Sequence, residues 1–322
     1  MEPDPRIAAV AIGRNEGARL RRCLASLQGR AGRIVYVDSG STDGSPEAAA
    51  AAGAQVVRLD LARPFTAARA RNEGFAALMQ AGAPPAYVQF VDGDCELQPG
   101  WLAAAAAFLD GHPDVAAVCG RRRERHPGQS VYNRLIDREW DTPPGEALAC
   151  GGDVLMRGAA FRAAGGFDPG LIAGEEPELC VRLRAAGWRI WRLDAEMTLH
   201  DAAITRFGQW WRRTRRAGYA YAEGAAMHGA APERHRVAHT RRALIWGLAL
   251  PLAVLALAVP APWLALLLAL AWPVQVARLA RRRGDLAEAV FLTLGKIPEA
   301  LGVLDYHRTR LSGRRRGLIE YK

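Results

Sequence analysis

No two cysteines in this chain of 322 residues are spaced Cys-x-x-Cys. The five that occur, Cys23, Cys95, Cys119, Cys150 and Cys180, are scattered. That argues against a zinc ribbon or a disulfide framework and fits a reducing compartment. No Gly-x-Gly-x-x-Gly follows the first predicted strand and no Walker loop occurs, so dinucleotide and P-loop chemistries are poor readings. No nucleic-acid-binding motif accompanies the net charge of +10. The opening residues, Met1-Glu2-Pro3-Asp4-Pro5-Arg6, lack an apolar core, and no secretory signal is expected. Internal repeats and low-complexity linkers are missing too. Finally, charge is missing from Ala243 to Ala277.

That uncharged run says most about organisation. Pro260-Ala261-Pro262 divides it into segments of about 15 to 17 residues, at or just below the spanning length of about 17 to 25. Arg241-Arg242 precede it, and Arg278, Arg281, Arg282 and Arg283 follow. Positive charge at both ends keeps both ends cytoplasmic, which makes a helical hairpin the consistent topology. A buried core hairpin is the alternative. The tail from Phe291 to Tyr321, with Lys296, Arg308, Arg310 and Arg314-Arg315-Arg316, reads as amphipathic and is expected against anionic headgroups. The arginines crowd 206–242 and 278–316, which favours a membrane surface and a phosphorylated substrate over nucleic acid. Two regions are therefore expected, an α/β domain over 1–225 and a membrane-associated helical region over 226–322. The latter divides into the hairpin at about 243–277 and a basic tail at 278–322.

Half of the residues are hydrophobic, enough for a substantial core. Ile7–Ile12 and Arg33–Val37 read as strands, separated by a helix carrying Leu20, Leu24 and Leu27 at helical spacing. Gln55–Leu59 is a third strand after an alanine-rich helix. This alternation predicts a doubly wound, mainly parallel α/β sheet. Tyr87–Val91 is a short apolar run ending in Asp92-Gly93-Asp94. Ligands of open parallel sheets meet the carboxyl ends of strands, and two carboxylates there suit Mg²⁺ or Mn²⁺ bound with substrate phosphates. A bare Asp-x-Asp is more often a solvated turn. Val115–Gly120 is a further strand, followed by a basic run at Arg121–Arg125, which reads as a solvated face or as lying near an acceptor phosphate. Residues 126–144 look polar and irregular, an acceptor-side loop.

Several motifs stand in one order. Asn15-Glu16 follows the first strand, Val37-Asp38-Ser39-Gly40-Ser41-Thr42-Asp43-Gly44 the second, and Ala70-Arg71-Asn72-Glu73-Gly74 opens a helix. Asp92-Gly93-Asp94, Gly165-Gly166-Phe167-Asp168 and Gly174-Glu175-Glu176-Pro177-Glu178-Leu179 come after. Over about residues 6–220 the chain resembles the family 2 inverting glycosyltransferases of the GT-A fold, of the membrane-anchored polysaccharide-biosynthesis type. The resemblance implies that Gly13, Asn15, Glu16, Asp38, Arg71 and Asp92 bind the nucleotide and that Asp94 and His200 hold Mn²⁺ or Mg²⁺. It implies that Glu176, with Glu175 as the other candidate, is the base. The bland readings stand beside these: Asp38 as a turn residue, Arg71 as a surface helical arginine, Glu175-Glu176 as helix-start acids, and His200 as a structural histidine. Phe207-Gly208-Gln209-Trp210-Trp211-Arg212-Arg213 is similar to a signature of processive synthases, but Arg213 replaces its final tryptophan, so processivity is not expected.

The implied function is transfer from a nucleotide-diphospho-sugar to a lipid-linked saccharide acceptor at the cytoplasmic membrane, with the catalytic domain facing the cytoplasm. A catalytically silent scaffold and a nucleotidyltransferase are the alternatives. Gly13-Arg14-Asn15-Glu16 is a poor triphosphate grip, which counts against the second.

Overall fold

The computed structural model describes residues 3–63 and 65–313. They fall into two compact units: the chain up to Gln129 with Ile136–Ala203, and Ser130–Leu135 with the chain from Ile204 onward.

The first unit holds a nine-stranded sheet. Its strands are β1 (Asp4–Gly13), β2 (Ala31–Asp38), β3 (Gln55–Arg58), β4 (Tyr87–Asp92), β5 (Cys95–Leu97), β6 (Val115–Glu124), β7 (Gly145–Ala147), β8 (Val154–Arg157) and β9 (Arg189–His200). Its order is β3-β2-β1-β4-β8-β6-β9-β5, with β7 beside β9. The half β3-β2-β1-β4 is parallel throughout. Beyond it β8 runs antiparallel to both neighbours, and β6 and β9 are parallel to each other.

Ile7–Ile12 are all buried, as a strand covered on both faces by helices requires. The helices are α1 (Ala18–Leu27), α2 (Ser45–Ala51), α3 (Ala67–Gln80), α4 (Trp101–Gly111), α6 (Gly158–Ala163) and α7 (Glu175–Ala185), while α5 (Val131–Glu139) starts within the second unit's Ser130–Leu135 and ends in the first. Helix α3 starts where the Thr66 hydroxyl accepts the Arg69 amide. It lies close on the sheet because Gly74 has no side chain: a Cβ there would stand 2.3 Å from Val10 Cγ1 and 2.9 Å from Val37 Cγ2.

Parallel register brings three strand ends together. Gly13 pairs with Asp38, and Ile12 with Asp92, so the loops after β1, β2 and β4 emerge on one edge, where open sheets bind ligands.

Two expectations need correction. Residues 126–144 are not irregular: they contain α5, whose Asn133 and Ile136 are buried. The helix was hidden because its polar residues outnumber its apolar ones. The basic run at Arg121–Arg125 is not a solvated face either. Strand β6 continues through Glu124, and Arg121 and Glu124 are buried.

The second unit is helical: α8 (Phe207–His228), α9 (Val237–Leu244), a π turn (Ile245–Ala249), α10 (Leu250–Leu257), α11 (Pro262–Ala269), α12 (Ala271–Arg283), α13 (Leu286–Leu294) and α14 (Lys296–Ser312). Glycines let α14 touch its neighbours backbone to backbone. A Cβ on Gly218 would stand 2.0 Å from Glu299 O, one on Gly302 2.0 Å from Arg215 O, and one on Gly247 1.8 Å from Lys296 O. Arg215 adds a two-point ion pair to Asp305 at 2.6 and 2.8 Å. Helix α14 is therefore packed on α8; Arg314–Tyr321 fall outside the described residues.

Val237–Leu257 and Pro262–Arg283 form two continuous helical stretches of 21 and 22 residues, long and apolar enough to cross a membrane. They exceed the 15 to 17 residues of the uncharged segments because the helices run on into the basic flanks. Their apolar windows are only 11% and 6% buried. Leu255, Val259, Trp263 and Leu266 are exposed, the reverse of a buried core hairpin.

Candidate active site

The loops after β1 and β2 lock together through Asn15, which sits at a φ of 55°. Its amide donates to Ser41 Oγ at 2.9 Å and its Oδ1 accepts the Thr42 amide at 2.7 Å. Asp38 is buried; its Oδ2 accepts the amides of Gly40 and Ser41, and its Oδ1 the Tyr36 hydroxyl. These are the bonds of a turn aspartate at the mouth of the sheet. Glu16 pairs with Arg19 at 2.8 Å, and the Glu16 Cγ lies 3.1 Å from where a Gly13 Cβ would be.

Arg71 is no surface arginine. It is 2% exposed and binds three carboxylates: Asp92 Oδ1 at 2.8 Å, Glu175 Oε1 at 2.9 Å and Glu176 Oε1 at 2.9 Å. Burial would weaken its charge, but Glu176, Asp92 and Glu175 outweigh that and raise its pKa. The neighbouring motifs fasten α3 in place. Asn72 Nδ2 donates to Phe167 O at 2.7 Å and its Oδ1 accepts the Phe167 amide at 3.0 Å, tying the Arg71-Asn72-Glu73-Gly74 stretch to Gly165-Gly166-Phe167-Asp168. Arg69, by contrast, binds the carbonyls of Asp60 and Arg63 and holds a loop.

Glu175 and Glu176 open α7. Burial and the adjacent Glu175 push Glu176 up to about 7, against the pull of Arg71. Gly152 is what lets this cluster close: a Cβ there would lie 2.5 Å from Arg71 Nη2 and 3.1 Å from both Asp92 Oδ2 and Glu176 Oε1. The structure thus joins Asp92, Arg71, Glu175 and Glu176 in one charged cluster.

A second group sits on the β5–β9–β6 ladder. His200 pairs with Cys95 of β5 on one side and Glu124 of β6 on the other. Directly opposed residues share a face, so the three side chains meet. His200 Nε2 lies 3.4 Å from Asp94 Oδ2, and His200 Nδ1 lies 3.7 Å from Glu124 Oε2. Trp140 meets the imidazole edge-on at 4.8 Å between ring centres. Burial, and then the Arg122 cation, hold His200 below its usual pKa. Burial alone would raise Glu124. The nearby His200 ring and the amides of His126 and Ala202 outweigh it and hold this carboxyl below its ordinary range.

Asp94 and His200 fit a divalent cation: a hard carboxylate oxygen and an imidazole nitrogen, both buried, with the Glu124 carboxylate 3.7 Å from the other ring nitrogen. The two groups are joined by Arg122, which reaches Asp92 Oδ2 and Asp153 Oδ2 at 3.4 Å each and lies over the Trp140 ring at 4.5 Å. Asp153 in turn accepts the Asp92 amide at 3.1 Å and the Thr198 hydroxyl at 2.8 Å.

Cys95, Trp140 and Asp153 are not among the site residues expected from the sequence, and Arg122 and Glu124 are expected only as part of a basic run near an acceptor phosphate. The available signal was the i, i+2 spacing of Arg122 and Glu124, which marks one face of a strand once β6 is extended through the basic run.

Comparison with known proteins agrees with this architecture. Residues 10–161 match the family model described as Glycosyl transferase family 2. The pre-mycofactocin glycosyltransferase of Mycobacterium tuberculosis is 31% identical over 229 residues, 67% of this chain and 46% of that protein. The succinoglycan biosynthesis protein ExoA of Rhizobium meliloti is 27% identical over 188 residues, 55% of each chain. The chain therefore spans about half the length of these relatives. Among solved structures, a mannosyltransferase from Pyrobaculum calidifontis in complex with GDP-Man and Mn²⁺ superposes with a TM-score of 0.65 at 21% identity, covering 94% of this chain and 89% of that one. Glucosyl-3-phosphoglycerate synthase from M. tuberculosis, in complex with Mn²⁺, UDP and glucosyl-3-phosphoglycerate, gives a TM-score of 0.50 at 19% identity over 69% of this chain and 80% of that one. With its matched domain, its sheet order and its motifs in sequence, this chain belongs to the family 2 glycosyltransferases of the GT-A fold.

Proposed function

We propose that the protein transfers a sugar from a nucleotide-diphospho-sugar to a saccharide acceptor carried on a lipid, with inversion at the anomeric carbon and dependence on a divalent metal. The observation that carries this reading is the meeting of two groups at the carboxyl ends of the strands: the Asp92–Arg71–Glu175–Glu176 cluster and the Asp94–His200 pair, linked by Arg122.

In this reading the loops at Gly13, Asn15, Glu16 and Asp38 cradle the nucleotide, and Asp92 contacts its ribose. Glu176 takes the proton from the acceptor hydroxyl as that oxygen attacks the anomeric carbon and the nucleoside diphosphate leaves. A carboxylate pushed up to about 7 suits general base work near neutral pH. Arg71 holds Glu176 and Asp92 in register without contacting the reacting atoms. A cation bound by Asp94 and His200 supplies charge neutralisation at the departing diphosphate; Mn²⁺ is bound in the two similar structures cited above.

The exposed apolar stretches at 237–257 and 262–283, flanked by arginines, support attachment to a membrane whose cytoplasmic face the catalytic unit addresses. Membrane attachment and the succinoglycan role named for one relative favour a lipid-linked saccharide acceptor. Product analysis tests the reading. Incubation with donor and membrane acceptor is expected to release nucleoside diphosphate and leave the new linkage with inverted configuration. Release of pyrophosphate would assign nucleotidyl transfer instead. No product from any donor would assign a scaffold.

A further inference from the structure

We propose that the first unit carries a second small-molecule site, for a sugar bearing one oxyanion, anchored by the Arg192 guanidinium. The site is a cavity of about 410 Å³ bordered by β6, β9 and residues 141–144. It uses none of the residues assigned above to donor, metal or base.

Alternation along β6 sets the place. Arg121 and Arg123 line the cavity, while Arg122 between them turns to Asp92 and Asp153 in the catalytic cluster. Strand β9 supplies Arg192, Asp194 and Glu196 by the same alternation. Two of the lining guanidiniums are more than nine-tenths buried, with side-chain exposures of 8% for Arg121 and 6% for Arg192. Arg121 is well held, donating to Asp137 O and Asp137 Oδ2 at 3.0 Å each. Arg192 is not. Among the described residues its one charged contact is Asp141 Oδ1 at 3.8 Å, beyond hydrogen-bonding range. Arg121 shares that same oxygen at 3.4 Å. Asp141 is itself 65% exposed, so it compensates a buried cation weakly. A buried guanidinium bordering a polar cavity calls for an acceptor, and its planar fork fits the oxygens of a phosphate or carboxylate in pairs. The rim has the opposite sign. Asp194 and Glu196 are exposed, with Glu196 held by Arg123 at 2.7 Å, and Thr142 adds a hydroxyl. Carboxylates there accept bonds from sugar hydroxyls and repel a second anionic group. The volume lies in the range of small-molecule sites and leaves room for a monosaccharide-sized body beyond the oxyanion.

The test is calorimetric titration of the full chain, without divalent metal, by glucose 6-phosphate, glucuronate and neutral glucose. One of the two charged sugars should bind, and which one does identifies the oxyanion as phosphate or carboxylate. Glucose should bind at least about 10-fold more weakly. Arg192→Met should weaken the charged sugar by about 10–100-fold. Asp141→Asn removes the carboxylate that competes for Arg192 and should tighten binding by about 2- to 5-fold, a change that loss of folding cannot imitate. No binding of either charged sugar up to about 10 mM would overturn the proposal, as would glucose binding equally well. So would an affinity in Asp141→Asn equal to or below that of the wild type, whether or not Arg192→Met folds.

Discussion

Replacing Arg71 by methionine removes the cation shared by three carboxylates, the buried Glu175 and the partly buried Asp92 and Glu176. The side chain is 2% exposed, with contacts at 2.8 to 2.9 Å to Asp92, Glu175 and Glu176. Methionine fills most of the stem volume, so the effect is electrostatic rather than a cavity. Removing one partner of a buried ion pair costs about 3–5 kcal/mol, because the other charge is left without compensation. For a unit of this size that lowers the midpoint of thermal unfolding by on the order of 10 °C. The penalty also has a pH signature. Without Arg71, Glu176 loses the pull that opposes burial and Glu175, so its folded-state pKa rises further above its unfolded value. A carboxylate raised in this way carries a cost that is full above its folded pKa and declines as pH falls from there toward its unfolded pKa. Glu176 already stands at about 7 with the cation present, so the window opens at or above neutral pH. Thermal melts of wild type and Arg71→Met at about pH 8 and about pH 6 should therefore show a deficit that is largest at the higher value. A deficit below about 1 kcal/mol, or one that does not change with pH, would refute the assignment of Arg71 as the counter-charge of this cluster.

The remaining predictions concern catalysis, the metal and the membrane. Glu176→Gln should lower kcat by about 10²–10⁴-fold while donor binding persists; equal kcat would move the base elsewhere. In the wild type kcat/KM should rise through about pH 7 and level off above it, as the carboxyl loses its proton, and steady-state rates across pH check this. Gly152→Ala places a methyl 2.5 Å from Arg71 Nη2, so sugar transfer should fall sharply while the fold, read by circular dichroism, is kept. Glu124→Gln removes the carboxylate behind His200 and should weaken Mn²⁺ binding by about 10–100-fold in calorimetry. The full chain should float with anionic vesicles and resist a high-salt wash, since the exposed Leu255, Val259 and Trp263 provide a contact that salt does not screen.

The parallel half of the sheet was readable in sequence because its strands are buried on both faces and so appear as unbroken apolar runs, Ile7–Ile12 and Tyr87–Val91 among them. The carboxylates at their ends were readable for the same reason, since an abrupt change from apolar to acidic marks the edge of the sheet. The other half was not. Strand β6 carries Arg121, Arg122 and Glu124 inside the fold, and charged residues in a row look like solvent-facing chain unless their partners are known. Those partners come from elsewhere: Asp137 on α5, Asp153 before β8 and His200 at the end of β9. The Cys95–His200–Glu124 row exists only once the register of β5, β9 and β6 is fixed, and neighbouring positions in sequence carry no trace of it. Glu176 was placed by motif order, whereas the reason for its raised pKa, burial beside Glu175, is a property of the packed cluster.

The most direct test of metal-dependent sugar transfer is calorimetric titration of UDP-, GDP- and dTDP-sugars, with and without Mn²⁺ or Mg²⁺, into wild type and Asp94→Asn. The account predicts that one donor binds tightly only with metal and that the variant loses the metal-dependent part of the affinity. No donor binding under any metal, or an unchanged metal dependence in Asp94→Asn, would contradict it.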